Sequence, residues 1–163
     1  MVWMTFLRVA LLAGVALTAC AQSTIFISRH ADRQGTEPDP ALTETGEKQA
    51  ESLARLLKDA NIRHIYTTEL LRTRQTAAPT AKSSGVEPVT VPQDHFDELI
   101  AKIRETADAK GATLVVGHRA TVPRIVKALT GKDIVPLGSS EYGRLVMVTL
   151  LPNGMSGIVT LHY

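Results

Sequence analysis

Apolar positions along this chain follow two periods. Short β-branched runs recur at Thr24–Ser28 (TIFIS), His64–Thr67 (HIYT), Val86–Val91 (VEPVTV) and Thr113–Val116 (TLVV), with two more at Leu145–Leu151 and Ile158–His162. Runs of this length and composition predict strands. Between them the spacing is helical. Thr43 is placed to cap a helix with Ala50, Leu53, Ala54 and Leu57 on one face and a Glu51/Arg55 pair one turn apart. A second helix spans Glu69–Ala81, where Pro79 should bend or end it. Phe96, Leu99, Ile100, Ile103 and Ala107 make the stripe of a third helix, and Val122, Ile125, Val126 and Leu129 that of a fourth. Pro88 weakens the third strand, and Pro152-Asn153-Gly154 joins the last two as a hairpin. Strands alternating with helices and closing on a hairpin predict a three-layer α/β/α domain, with a mostly parallel sheet and helices on both faces.

The 163 residues suffice for one domain with a substantial core, not two. A hydrophobic fraction of 44% with 21% charged residues is that of a soluble globular protein. The formal net charge of +2 gives no argument for a nucleic-acid partner or an anionic membrane surface. One cysteine, Cys20, excludes a disulfide within the chain and a thiolate zinc site. The five histidines show no H-E-x-x-H or comparable spacing, so no metal is expected.

The first twenty residues, MVWMTFLRVALLAGVALTAC, change the picture. One positive charge, Arg8, precedes the apolar stretch Val9–Leu17 and a run of small residues. That is the layout of a secretory signal, too short to span a bilayer. Leu17-Thr18-Ala19-Cys20 resembles the bacterial lipobox, whose cysteine is acylated and becomes the first mature residue. Ala19-Cys20-Ala21 also fits ordinary cleavage after Ala21. The position of the single cysteine favours the lipoprotein. A third reading, a buried apolar helix, explains neither the cysteine nor Arg8. The expected organisation is a signal over residues 1–19 and one domain over 20–163, exported and held at a membrane only through its lipid. Loss of Arg8 leaves 17 basic against 16 acidic residues, net +1, so a local site rather than the overall charge must choose the substrate.

Two strands end on chemistry. TIFIS runs into Arg29-His30, and TLVVG into His118-Arg119. In an open α/β sheet, ligands bind beyond the carboxyl ends of the strands, so both histidines should meet at one edge. The HIYT strand leads into a helix carrying Arg72 and Arg74 in its first turns. Histidines and guanidiniums converging where helix N-termini point make an anion site, most naturally for phosphate. Singly, each has a plainer explanation as a strand end or a solvated helix face; together they do not.

These residues resemble the histidine phosphatase superfamily, the phosphoglycerate-mutase-like fold, in its short branch. Arg29-His30-Ala31 matches the RHG or RHA signature. Leu42-Thr43-x-x-Gly46-x-x-Gln49-Ala50, Thr67-x-x-x-x-Arg72-Thr73-x-Gln75-Thr76 and Val116-Gly117-His118 follow in the family's order, over about Ile25–Leu151. The resemblance implies a phosphatase acting on a small phosphorylated substrate in two steps, with no cofactor and no metal. His30 would attack phosphorus as nucleophile, Arg29 and Arg72 would bind the phosphoryl oxygens, and His118 would donate to them. Relatives often take the leaving-group proton from a carboxylate after the third strand. Here Asp94, Asp97 and Glu98 are available. Asp94 ranks first because it follows the strand exit at Val91-Pro92, whereas Asp97 and Glu98 already suit a helix N-terminus. Two positions depart from the pattern: Arg33 stands where Ser or Thr is common, and Arg119 where a small or amide residue follows the second histidine. Each is either a further ligand group or surface. The substrate-enclosing insertions of mutases find no room here. The remaining alternatives are a phosphohistidine-protein phosphatase and a non-catalytic phosphate-binding lipoprotein.

Overall fold

The computed structural model describes residues 22–107 and 111–163. The expected signal segment and Cys20 therefore lie outside the described residues. In chain order the elements are β1 (Ser23–Arg29), α1 (Glu44–Leu56), β2 (Ile62–Thr67), α2 (Leu71–Ser84), β3 (Val89–Thr90), α3 (Phe96–Thr106), β4 (Ala112–Gly117), α4 (Thr121–Thr130), β5 (Arg144–Leu150) and β6 (Ser156–His162). They form a six-stranded sheet in the order β3-β2-β4-β1-β5-β6. The first four are parallel, and β5 and β6 add an antiparallel hairpin beside β1.

The three layers follow from alternation along the central strands. Ile25 and Ile27 of β1 and Val115 of β4 face one side, where they meet Ile100 and Ile103 of α3 and Val122, Ile125 and Val126 of α4. Phe26, Leu114 and Val116 face the other, where Leu53 of α1 and Ala77 of α2 cover them. Strands buried on both faces must read as continuous apolar runs, which is why TIFIS and TLVV show no alternation of their own.

Two elements depart from the periodicity. The third strand is two residues long instead of the six of Val86–Val91. Its ladder reaches only Tyr66↔Val89 and Thr67↔Thr90. Pro88 has no N–H to extend the pairing, and the strand is exposed at the sheet edge. The second helix starts at Leu71, where Asp39 Oδ1 accepts the Leu71 N–H at 2.7 Å, and runs through Pro79 to Ser84. Pro79 forfeits one backbone hydrogen bond. The helix persists because Ala77 beside it is buried with Leu53 and Leu57, and it stops at Gly85 in the left-handed conformation, φ 69°.

Candidate active site

Register brings the two histidines together. Arg29 pairs with Gly117 across the β1/β4 ladder, and the His30 N–H donates to the Gly117 carbonyl at 2.9 Å. His30 and His118 thus leave adjacent strands at the same edge, with ring centroids 5.4 Å apart.

Their protons are fixed differently. His30 Nδ1 lies 2.8 Å from the Ala31 carbonyl, which only accepts, so Nδ1 carries the hydrogen and Nε2 keeps its lone pair. For His118 the direction follows from a hydroxyl chain. Thr73 Oγ1 donates to the carbonyls of Leu70 and Thr68, so at 2.9 Å it must accept from Thr68 Oγ1. Thr68 Oγ1 has then spent its hydrogen and accepts from His118 Nε2 at 3.2 Å. One ring offers a lone pair and the other a proton. Burial, reinforced by His118, Arg29 and Arg72, holds the His30 imidazole at about 3. Burial, then the Arg72 charge, lowers His118 to about 4, against an upward pull from Glu69. Both rings are neutral at physiological pH.

The two arginines converge on the same place. Arg29 is 7% exposed, and its Nη1 donates to the carbonyls of Gly138, Ser139 and Glu141 at 3.2, 2.9 and 2.9 Å. The Tyr142 ring covers the guanidinium at 4.1 Å and lies 6.0 Å from His30. Arg29 Nη1 is therefore committed to backbone carbonyls, and the rest of the guanidinium is what a ligand would meet. Its Nε is buried and unpartnered, as is the Nε of Arg72. Arg72 is braced by Asp39 at 3.9 Å. Buried donors without partners are rare, and two of them on guanidiniums next to a nucleophilic imidazole call for an anion. Burial holds both arginines below their usual range, with Arg33 adding to it at each.

The other motif residues build the frame. Thr76 Oγ1 accepts the Ala31 N–H, Gln49 Oε1 the Asp32 N–H and Gln75 Oε1 the Leu42 N–H, each at 2.9 Å. Thr43 Oγ1 donates to Asp32 and accepts from Gly46 N. They fix the loop after His30. Asp94 is 83% exposed and pairs with His95 at 3.9 Å; Glu98 bonds the same ring. Both carboxylates are engaged with His95, whereas the Glu69 charge pulls His118 and Arg72 upward, while its Oε2 accepts the Gln93 N–H at 3.0 Å. Glu69, Thr68, Asp39 and Tyr142 are not among the site residues that the sequence pattern singles out. The one signal for Glu69 was its place just beyond the end of β2. Among the described residues, no group of three or more His, Cys, Asp or Glu side chains is arranged to hold a metal ion.

The model of the histidine phosphatase superfamily (branch 1) matches residues 25–98, which include His30 and Arg72. A Yersinia enterocolitica protein named "Probable phosphoglycerate mutase GpmB" is 34% identical, with 85% of this chain and 68% of that one covered. The chain belongs to the histidine phosphatase superfamily. A Photorhabdus laumondii protein of the same name is 37% identical over 42% of this chain, a match spanning 35% of its own length. Among solved structures, the protein histidine phosphatase SixA complexed with tungstate superposes with a TM-score of 0.69 at 20% identity, covering 85% of this chain and 96% of that one. A mycobacterial glucosyl-3-phosphoglycerate phosphatase gives 0.68 at 13% identity, covering 86% and 99%. At these identities the solved structures speak for the fold. The superfamily's motifs here occupy the sheet edge just described.

Proposed function

We propose that this protein is a phosphomonoesterase working through a phosphohistidine on His30, and that it acts outside the cytoplasm, held by a lipid on Cys20. The observation that carries the chemistry is the pair of buried, unpartnered guanidinium Nε atoms of Arg29 and Arg72 beside an imidazole whose Nε2 lone pair is free. A phosphoryl group seated there meets donors on its oxygens and a nucleophile at phosphorus. In the first step the His30 Nε2–P bond forms and the P–O ester bond breaks, the leaving oxygen taking a proton. In the second, water attacks phosphorus, the P–N bond breaks, and inorganic phosphate leaves. His118, with its proton on Nε2, and the two arginines stabilise the charge that accumulates on the phosphoryl oxygens in both steps. Export and acylation rest on the sequence from Arg8 to Cys20.

The test is phosphate release from a panel of esters. His30→Ala should abolish turnover, and rapid quenching of the wild type should trap an acid-labile, alkali-stable phosphoenzyme. Full activity in the alanine variant, or complete loss in EDTA, overturns the reading. The named relatives favour one second reading: isomerisation of a phosphoglycerate without phosphate release would make the protein a mutase.

A further inference from the structure

We propose that the ester this site takes carries a second anionic group, a carboxylate or another phosphate, held by Arg33 and Arg119; this rests on the phosphomonoesterase reading. The two residues flank the mouth on different loops. Arg33 lies three residues beyond His30 and Arg119 one beyond His118, and the Arg29↔Gly117 register sets those two exits side by side. A backbone bridge to Leu42 fixes Arg33, whose Nη1 donates to the carbonyls of Gly35 at 2.6 Å and Gln34 at 3.4 Å. These bonds orient the side chain but leave its charge uncompensated. Arg119 is exposed at the start of α4.

Among the described residues, neither Arg33 nor Arg119 is in an ion pair. The carboxylates around the mouth are committed to other donors: Asp32 to the Thr43 hydroxyl, Asp39 to the Leu71 N–H and Arg72, and Glu69 to the Gln93 N–H. The two rim charges nevertheless reach the buried pair. Arg119 and Arg33 both act on Arg29, and Arg33 is the leading charge on Arg72. Placing like charges around two largely buried guanidiniums is unfavourable unless an anion offsets them. One phosphoryl group engages the inner pair. The rim charges are satisfied by an anion further along the same molecule, where a planar guanidinium suits carboxylate and phosphate oxygens alike.

The test compares matched esters on the full-length protein: ethyl phosphate against phosphoglycolate, and fructose 6-phosphate against fructose 1,6-bisphosphate. The wild type should prefer the two-anion member of at least one pair by about tenfold in kcat/KM, the scale of one or two charge-assisted contacts. Preference in the first pair alone identifies a carboxylate, and in the second alone a phosphate. In the Arg33→Gln/Arg119→Gln double variant the loss on the two-anion ester should exceed that on its partner by a similar factor. Inhibition by inorganic phosphate reports whether the inner pocket of the variant is still formed. No wild-type preference in either pair, or an undiminished preference in a variant that still binds phosphate, overturns the proposal. The same four esters titrated onto His30→Ala by calorimetry separate the two readings. Absence of turnover in the wild type sinks the phosphatase, while the ratio of dissociation constants still decides the second anion.

Discussion

Where one proton sits separates the tasks of the two histidines. A backbone carbonyl makes His30 a nucleophile, and a threonine hydroxyl chain makes His118 a donor. Their burial also carries a stability cost that depends on pH. An unfolded imidazole takes its proton near 6.5, the folded His30 only near 3 and His118 near 4. Between those values the unfolded state holds more protons, so stability is full above about pH 6.5 and falls as pH drops toward 4 and then 3. Melting temperature measured from pH 7.5 to 4 should decline, and more shallowly in His30→Asn, which has no imidazole to protonate on unfolding. Equal slopes would mean that His30 titrates normally in the folded protein. The leaving-group proton is a second question at this scale. Asp94 follows the third strand but points to solvent and His95, whereas the Glu69 charge is felt at His118. General acid catalysis is worth about 10²–10⁴-fold and matters most for poor leaving groups. Glu69→Gln should therefore lose far more activity on an alkyl phosphate than on p-nitrophenyl phosphate, with Asp94→Asn nearly neutral on both. The reverse pattern would restore Asp94 as the donor.

Among the elements, α1 is tied most closely to the chemistry, although it contributes no side chain to phosphorus. Its cap, Thr43, bonds Asp32 two residues after the nucleophile, and Gly46 lets the helix approach the loop. A Cβ on Gly46 would lie 2.0 Å from the Asp32 carbonyl oxygen and within 3.2 Å of two further Asp32 backbone atoms. Backbone cannot yield as a flexible side chain can. Gly46→Ala should cost about 1–3 kcal/mol in denaturant midpoint, as overpacking does, and lower kcat because the displaced loop starts at His30. Thr43→Ala should cost about 1 kcal/mol by comparison. Unchanged activity in Gly46→Ala would show that the loop position does not govern His30. The cap, the three apolar stripes and the strands ending on Arg29-His30 and His118 were legible in the sequence, because each is a local pattern of propensity and period. The short β3 and the unbroken α2 were not. Pro88 and Pro79 looked alike on paper, and only packing decided that one limits its strand while the other sits inside a helix held by Ala77. Glu69, Thr68, Asp39 and Tyr142 escaped for a related reason: their roles come from which loops meet at the sheet edge, and loops carry no period.

Seen as a whole, the molecule is polarised along its strands. Three of the four parallel strands, β1, β2 and β4, deliver Arg29, His30, Thr68 and His118 to their carboxyl ends, so the site occupies one edge of the sheet and the amino ends of these strands the other. β1 is central and starts at Ser23, three residues after Cys20. Seven residues of strand put that start about 20 Å from the site. A lipid on Cys20 would thus fasten the far edge to the bilayer and leave the site facing away from it, open to soluble esters. Durable anchoring needs about two acyl chains, which a diacylglyceryl group on a processed cysteine supplies. The wild type expressed in a bacterium with lipoprotein processing should sediment with membranes and be released by detergent but not by high salt, since the net charge of +1 left after processing offers no electrostatic hold. Cys20→Ser should shift it to the soluble fraction or leave the signal uncleaved, while the activity of the extracted protein stays that of the wild type, because Ser23, three residues further on, starts β1 at the edge remote from His30. A wild type found soluble with Ala21 or Gln22 at its N-terminus would instead assign ordinary signal cleavage and an unanchored enzyme.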